Sequence, residues 1–600
     1  MSGFKLLIAK VLFSACLVII TAAASSAQSI TGTISGTVVD PNGGVIPGAS
    51  VTLTSGQLGD SRVVTTNDEG RFTFAAVRPG TYSVRIEHQG FQKLLRENTV
   101  LAANESLALG ELALATGNVS ETVTVTSAGA VVETQSSDLT ARLTSDQISL
   151  IATKGRDVTS LLRLLPGTSN NDDIEGVGEG FGTDLPVISG QRGRSTVATV
   201  DGLNGSEPSG SNKLSLTINQ DAVAEVQVLR NNYAAEYGNN GGAMINIVSK
   251  GGGSNYRGSA YYYLRNEALN ANNFFNNKSR LPRALYRHKI WGFNAGGPIP
   301  LLRFGESDKM FIKNKAFFFF SYEKPRQITP TDPITVTVPT ALERQGNFSQ
   351  SRSTSGAVTL VDPLGPPSAT NPFPIVNNII PQQRINASGL ALLNYYPLPN
   401  AGTTANPGLY SFQKSVDVRK RSMVIRFDVK PTGNDSIYWK KQWWTSDNEG
   451  LGTSGWPNGA TGRDRWGISS HYLYQDDGWS ANWVHIFSSK VVNEFNFGMR
   501  HDSEGFVPSD GMIEGLQRSA LNYTAPQLFP QNNNLGTIPR ATGWTSVQGN
   551  PANINWLDRW GETGNDYIEP SFADNLTWTQ GDHTMKFGVY FERVRNGTNS

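Results

Sequence analysis

The first 27 residues constrain the fold most, because they predict export and so decide which membrane structures are open to the chain. Lys5 and Lys10 precede an apolar run at 11–24, and small residues lead to a cleavage junction between Ala27 and Gln28. This run is shorter than the ~20 residues of a spanning helix. No later stretch is long and apolar enough to be one. An exported chain without membrane helices can still span a bilayer as a closed β-barrel, which satisfies every backbone polar group internally.

Composition excludes several classes of function. Basic and acidic residues number 51 and 50, and this balance argues against nucleic acid as a partner. The single cysteine, Cys16, excludes a disulfide scaffold and a Cys-ligated zinc site. The chain has no GxSxG, HExxH or Walker A motif, and its six histidines lack metal-ligand spacing. We therefore expect no enzyme activity, no metal and no cofactor.

Aromatic residues divide the chain near residue 250. All 12 tryptophans lie at or after Trp291, and of 18 tyrosines only Tyr82, Tyr233 and Tyr237 precede residue 250. Outer-membrane barrels carry aromatic girdles at both bilayer interfaces, so the later region fits a barrel. A glycan-binding surface would also collect aromatic rings.

Residues 28–115 are predicted to form a small β-sandwich. Short β-branched runs are separated by turn sequences at 40–44, 67–70 and 79–80, where Pro, Gly, Asn and Asp favour turns. The text from ISGTVVDPNGG to RIEHQGF resembles the carboxypeptidase regulatory-like domain. This resemblance implies a transthyretin-like sandwich with a structural or docking role and no peptidase activity. The sandwich is also related in shape to carbohydrate-binding folds, which is weak evidence for glycan binding.

Residues 118–127 alternate Thr and Val over much of their length, which favours an extended strand. The segment lies between two predicted domains, where its edges can be free to join another protein's sheet by β-augmentation. It resembles the TonB box, the peptide by which an energy-transducing inner-membrane protein binds outer-membrane transporters. The residues that carry this resemblance are Glu121, Thr122, Val123, Thr124 and Val125.

Residues 128–250 resemble the plug of TonB-dependent receptors, an α/β domain. The match consists of a strand, a Val-Asp-Gly turn, a second strand, a Gly-rich turn and a third strand. Its residues are Asp201, Gly202, Glu225, Arg230, Tyr237, Gly238, Gly241, Gly242 and Asn246. The resemblance implies plug-to-barrel or intraplug polar contacts for Glu225 and Arg230. Asn231 and Asn232 depart from a common Gly-Pro pattern, which affects the local turn and not the fold.

Residues 255–600 are predicted to form transmembrane strands joined by long loops. In 491–500 the two faces differ, with Phe495, Phe497 and Met499 on one and Glu494, Asn496 and Arg500 on the other. Such segments approach the ~9–11 residues of a tilted transmembrane strand. A soluble sandwich would alternate similarly, but the export signal and the plug-like region favour a membrane barrel. Segment 323–420, which holds 13 of the 30 prolines, is predicted to be extracellular loop.

The barrel is expected to be incomplete. Segments 315–323, 346–349 and 392–397 resemble the Oar-like subgroup of TonB-dependent receptors. A plugged barrel of about 22 strands, as this resemblance implies, needs more residues than 255–600 supply with loops of this length. The C-terminal aromatic residue usual in such barrels is also absent. We therefore expect the chain to be the N-terminal part of a longer protein.

The predicted fold is thus mainly β: a transthyretin-like sandwich, an α/β plug and the first part of an antiparallel transmembrane barrel. The resemblance implies a receptor that binds a scarce extracellular ligand and imports it through a barrel gated by the plug. Energy would come from TonB and its inner-membrane ExbB/ExbD motor.

The expected location is the outer membrane of a Gram-negative bacterium, in contact with its lipid, with the sandwich in the periplasm. Candidate ligands are an oligosaccharide, a siderophore or a peptide. Two alternatives stay open, namely a carbohydrate-binding adhesin or receptor without transport, and Oar-like protein export.

Overall fold

The computed structural model describes residues 30–598, with gaps of which the longest are 118–121, 127–138, 170–182, 207–212, 300–314, 452–469 and 540–564. The predicted signal peptide, including Ala27 and Gln28, lies outside the described residues. Among the helices that are described, none combines the length and the apolar character needed to cross a bilayer.

The N-terminal sandwich contains eight strands in two sheets. They are β1 (Gly32–Val39), β2 (Ser50–Ser55), β3 (Ser61–Thr65), β4 (Arg71–Val77), β5 (Gly80–Glu87), β6 (Lys93–Leu101), β7 (Ser106–Ala113) and β8 (Thr122–Thr126). One sheet has the order β4-β1-β7 and the other β3-β2-β5-β6-β8. Alternating apolar side chains from both sheets form one buried core that includes Ile34, Leu53, Phe74 and Ile86.

A central mixed sheet follows, with short helices beside it. The elements of this region are β9 (Leu139–Thr144), α1 (Ser145–Leu150), α2 (Val158–Leu161), β10 (Thr168–Ser169), β11 (Thr183–Asp184), β12 (Val187–Ile188), β13 (Val197–Val200), β14 (Leu203–Asn204), β15 (Lys213–Leu214), β16 (Val223–Asn231) and β17 (Met244–Ser249), of which β10 pairs with β12 and β11 with β15 outside the central sheet. The sheet order is β14-β13-β17-β16-β9. β17 is buried at all six positions because this sheet is covered on both faces. α1 begins with a capping box between Thr144 and Gln147.

Among the residues that the structure describes, ten antiparallel strands form a single large sheet, which we call the wall. They are β18 (Arg257–Asn266), β19 (Arg287–Pro298), β20 (Ala316–Pro330), β25 (Ser415–Val429), β26 (Asp435–Leu451), β27 (Ser470–Ser488), β28 (Val491–Pro508), β29 (Asn565–Gln580), β30 (His583–Glu592) and β31 (Arg595–Thr598). Each strand from β18 to β30 pairs with the next strand of the wall, and β31 pairs with β29.

At one end of the wall the connections 430–434, 489–490 and 581–582 are short, whereas residues 299–315 form a longer connection at that end; the connections at the other end are all long. The long ones hold β21 (Ile334–Thr337), β22 (Arg352–Ser353), β23 (Gly356–Ala357), β24 (Leu409–Phe412), α3 (Ala387–Tyr395) and α4 (Met512–Gly515). Within the predicted loop 323–420, β20 extends to Pro330 and β25 begins at Ser415, so the wall reaches further than the sequence indicated. Outer-membrane barrels place short turns in the periplasm and longer loops outside, so we expect the long connections to lie at the extracellular end.

The two faces of the wall differ as the alternation predicted. On β28, Glu494 and Arg500 point inward and are buried, whereas Phe495 points outward and is exposed. Trp439 and Trp578 continue the exposed aromatic surface on other strands. An apolar exterior with a polar interior is the pattern of a barrel strand that faces lipid on one side. The predicted mainly β class is therefore confirmed.

A core substitution in the sandwich provides a test of this fold. Phe74 is fully buried and packs edge-on against Phe72 with ring centroids 5.9 Å apart. We expect Phe74→Ala to lower the free energy of unfolding of the sandwich by about 3–5 kcal/mol. Urea titration of the full chain, read by protease cleavage within the sandwich, measures the change. Val63→Ala, at an exposed position of β3, is the control. Equal midpoints for both variants would contradict the assigned core.

Candidate functional site

The Val-Asp-Gly turn carries a buried carboxylate. Asp201 has a φ of 52° and Gly202 a φ of 79°, and this left-handed pair turns the chain sharply between β13 and β14. The Asp201 carboxylate accepts hydrogen bonds from the backbone N–H of Ser249, at 2.8 Å, and from its hydroxyl, at 2.5 Å. The turn is thereby attached to the end of β17.

The same carboxylate joins the central sheet to the wall. Lys440 on β26 places its Nζ 2.6 Å from Asp201 Oδ2, and both side chains are fully buried. Arg426 on β25 lies 4.0 Å from the carboxylate and pairs with Asp428 at 3.0 Å. Burial alone would raise the pKa of Asp201, but the charges of Lys440 and Arg426 and the hydrogen bonds hold it below its ordinary value. The group therefore stays ionised.

A second ion cluster joins the wall to the segment between α1 and α2. The guanidinium of Arg156 donates to Glu323 on β20 at 2.9 Å and lies 3.0 Å from Asp221. It also stacks over the ring of Tyr261 on β18 at 4.3 Å. Although burial would lower the pKa of Arg156, the two carboxylates raise it.

A third cluster centres on Arg500 of β28. It pairs with Asp476 and Asp502 at 2.7 and 2.8 Å and donates to the backbone carbonyl of Ser206 at 2.6 Å. It also donates to the hydroxyl of Ser215, which precedes β16. All three clusters thus place a buried charge of the wall against the central sheet or its loops.

The sequence did not predict the roles of Lys440, Arg426, Glu323 and Arg156, because only the folded chain brings these residues to their partners. For the three wall residues, the available signal was their inward position on a strand with alternating polar and apolar residues.

The sandwich also contacts the wall, at the end with the short turns. Arg78 pairs with Asp428 at 2.9 Å, so Asp428 serves both Arg78 and Arg426. The hydroxyl of Thr31 donates to Glu494 at 2.6 Å. Ala75 packs with apolar residues of β27 and β28. A cavity of about 370 Å³ lies at this junction and is lined by residues of the sandwich, the central sheet and the wall.

Glu225 lies where the sandwich meets the central sheet. Its carboxylate is 3.4 Å from Arg142 on β9, and Arg142 is also 3.6 Å from Glu105 of the sandwich. Burial raises the pKa of Glu225 to about 7, against the opposing effects of Arg142 and of a hydrogen bond from the Ala103 backbone. Glu225 therefore contacts Arg142 of the central sheet, and it faces the sandwich as well.

The remaining predicted plug residues form local contacts within the central sheet. Arg230 donates to the carbonyl of Pro166 at 2.8 Å. The amide oxygen of Asn246 accepts from Thr199 at 2.8 Å. The Gly-rich turn is closed by ring packing of Tyr237 on Tyr233, with centroids 6.2 Å apart.

Two glycines of this turn lie against Gln191 and Ser195. Gly241 N–H donates to Ser195 O at 3.3 Å. A Cβ at Gly242 would lie 3.0 Å from the same oxygen, so a larger residue there would have to displace the Ser195 backbone. Gly238 is half-buried beside Tyr237.

The TonB-box-like segment is an edge strand of the sandwich. Glu121 lies outside the described residues, while Thr122, Val123, Thr124 and Val125 form most of β8. β8 pairs in parallel with β6, from Lys93 opposite Thr122 to Glu97 opposite Thr126. Sequence reasoning expected free edges, but one edge is paired and β8 ends the order of its sheet. Val123 is exposed.

Comparison with known proteins assigns the wall. The family model described as outer membrane beta barrel domain matches residues 248–600, which is more than half of the chain. The chain belongs to this outer membrane beta-barrel family. It is located in the outer membrane of a Gram-negative bacterium, as predicted, and the wall is its membrane-spanning part. The carboxypeptidase regulatory-like domain matches residues 33–144, a range that includes β8 and β9.

Individual relatives cover smaller shares. Over 248 residues the chain is 28% identical to the TonB-dependent transporter Oar of Myxococcus xanthus, which covers 40% of this chain and 22% of Oar. This relative is a transporter, in line with the prediction that the chain is not an enzyme. In the part of the chain that the structure describes, no group of three or more His, Cys, Asp or Glu side chains could hold a metal ion.

Solved structures align over a longer part of the chain. The siderophore receptor PirA from Acinetobacter baumannii is 11% identical, with a TM-score of 0.41, and the alignment covers 76% of this chain and 48% of PirA. The outer membrane transporter YddB from Escherichia coli is 8% identical, with a TM-score of 0.44 and coverage of 76% and 48%. The chain thus spans about half the length of these structures.

The buried pair Asp201–Lys440 generates a prediction. Asp201→Asn leaves the Lys440 ammonium buried without its carboxylate, so the free energy of unfolding should fall by about 3–5 kcal/mol. Adding Lys440→Met removes the uncompensated charge and should restore much of the loss. Thermal unfolding of the protein in detergent measures all three forms. Additive effects of the two substitutions would show that the pair is not coupled.

Glu225 generates a pH prediction. Because its folded pKa of about 7 lies above the ordinary value of 4.5, the folded state binds more protons between these values. The free energy of unfolding should therefore fall as the pH rises from about 4.5 to 7, by up to about 3 kcal/mol. Glu225→Gln should flatten this dependence in denaturant titrations at pH 5 and pH 8. Glu69→Gln, at an exposed site, is the control. An unchanged slope in Glu225→Gln would contradict the assignment.

Proposed function

We propose that the chain acts as a TonB-dependent receptor of the outer membrane, which binds an extracellular ligand and imports it with energy from the inner membrane. The observation that carries the proposal is the placement of β8, which is an edge strand of the sandwich and precedes the central sheet in the chain. The name of the relative Oar, a TonB-dependent transporter, supports it.

In this proposal β8 is the segment that TonB binds. An edge strand presents unpaired backbone groups, so a strand of TonB can join the sheet beside Thr122–Thr126 by β-augmentation. The site would consist of Glu121, Thr122, Val123, Thr124 and Val125. Because β8 is already paired with β6, TonB could bind in two ways. Its strand would either extend the sheet of the sandwich beyond β8 or replace β6 as the partner of β8.

The central sheet is proposed to be the plug. Its residues lie within the predicted range 128–250, and buried charges of the wall contact it through Asp201, Arg156 and Ser206. Opening a path along the wall requires these contacts to break. Removing one partner of a buried ion pair costs about 3–5 kcal/mol, so displacement needs work from outside, which TonB and the ExbB/ExbD motor would supply.

We assign roles to the sandwich, the linking segment and the barrel from where each lies relative to the wall. The sandwich at 28–115 docks at the end of the wall with short turns, and we place it in the periplasm. Segment 118–127 links it to the plug, and 255–600 forms the barrel. The ligand is an oligosaccharide, a siderophore or a peptide, taken up from the extracellular end.

Binding of the periplasmic domain of TonB tests the proposal. Val125→Pro removes a backbone donor from β8 and should weaken binding about tenfold. The matched control is Val63→Pro on β3, the strand at the opposite edge of the same sheet, which should bind like the parent protein. Isothermal titration with the purified protein in detergent gives the three affinities.

The outcomes separate the alternatives. Equal affinities of the parent protein and Val125→Pro would show that β8 is not the TonB-binding strand. If the parent protein itself does not bind TonB, the chain is not TonB-dependent, and a carbohydrate-binding adhesin becomes the function to test on a glycan array.

A further inference from the structure

Three neighbouring cations lie on the outward face of the wall near its extracellular end. Lys289 on β19, Lys324 on β20 and Arg421 on β25 are all exposed. Lys289 lies opposite Arg326. Arg326 is the next residue after Lys324 that points to the outward face of β20. Arg326 lies opposite Arg419, and in that register Lys324 faces Arg421. We call Lys289, Lys324 and Arg421 the basic cluster.

The basic cluster lacks the carboxylates that accompany nearby arginines. Arg326, which lies directly opposite Lys289, is paired with Asp417 at 2.6 Å. Within the residues that the structure describes, no salt bridge involves a member of the cluster. Arg421 contacts the hydroxyl of Thr445 at 3.4 Å and the ring of Trp443 at 4.8 Å. Like charges directly opposite each other destabilise a sheet, so an anion bound between them would relieve the repulsion.

The cluster lies at the level expected for lipid headgroups. The next row toward the periplasm is apolar and aromatic and includes Phe293, Tyr322 and Met423. Trp291, in the same row as Lys324, packs on Tyr322 with ring centroids 5.4 Å apart. Aromatic girdles mark the bilayer interface of outer-membrane barrels, and the long connections identify this as the outer leaflet.

We propose that the basic cluster binds the phosphate groups of a phosphorylated lipid headgroup in the outer leaflet. Lysine and arginine are common phosphate ligands, and their charge-assisted hydrogen bonds are stronger than neutral ones. A lipid fits better than free phosphate because the site faces away from the lumen and continues into an apolar surface. Acyl chains can cover Phe293 and Tyr322 while the headgroup phosphate neutralises the cations. The proposal rests on the outer-membrane location and is independent of TonB.

Binding of a defined lipid to the purified protein tests this site. The probe is diphosphoryl lipid A, and the variant is the triple substitution Lys289→Gln, Lys324→Gln, Arg421→Gln. We expect the affinity measured by native mass spectrometry to fall about tenfold or more in the triple variant. Dephosphorylated lipid A should bind the parent protein as weakly as diphosphoryl lipid A binds the triple variant. This second comparison uses the parent protein alone.

A matched control separates the cluster from general surface charge. Lys441→Gln removes an outward lysine of β26 that already pairs with Asp477, and it should leave the affinity unchanged. Heat-modifiable gel migration shows that each variant is folded. Equal affinity of the triple variant, or of the dephosphorylated lipid, would overturn the proposal. Displacement of the lipid by inorganic phosphate at equal concentration would assign the site to the free ion and overturn the choice of a lipid.

Discussion

The alternation of each wall strand between lipid and lumen is the constraint on which the rest of the structure depends. A strand that faces a bilayer on one side must place its polar side chains on the other. Charges at inward positions are then buried against whatever fills the lumen, and they must be paired there. Lys440, Arg426 and Arg500 are inward charges of this kind, and their partners belong partly to the central sheet. The alternation that makes the wall compatible with lipid therefore also provides the inward charges that bind the central sheet.

The central sheet is accordingly held by specific buried charges in addition to packed apolar surface. Its own core is apolar and extends to Phe319 and Val424 of the wall. Hydrophobic contact is non-directional, so it would allow the sheet to slide. Ion pairs such as Asp201–Lys440 have a defined geometry, and we infer that they set the position of the sheet more than they add to its stability.

The sequence predicted features that depend on local patterns. Alternation identified both faces of β28, and turn residues located the sandwich strands and the Asp201–Gly202 turn. It could not predict that Asp201 meets Lys440, because two residues so distant in the chain are joined only by the register of the whole wall. Nor could it predict that Thr122–Thr126 pairs with β6, since a Thr-Val alternation is compatible with any open sheet edge. The sequence also underestimated the length of the wall strands. Polar residues on β25 pair with residues of the neighbouring strand, so the wall extends beyond its lipid-facing part.

One carboxylate of the wall links the sandwich to the charges that hold the central sheet. Asp428 binds Arg78 from the sandwich and Arg426, and Arg426 in turn approaches Ser249 and Asp201. A movement of the sandwich that withdraws Arg78 leaves Asp428 to pair with Arg426 alone, which changes the charge balance around Asp201. Because β8 belongs to the sandwich, force applied to β8 by TonB, as proposed above, would reach this cluster through the folded sandwich. The domain that carries the edge strand is thereby placed to influence the contacts that hold the central sheet.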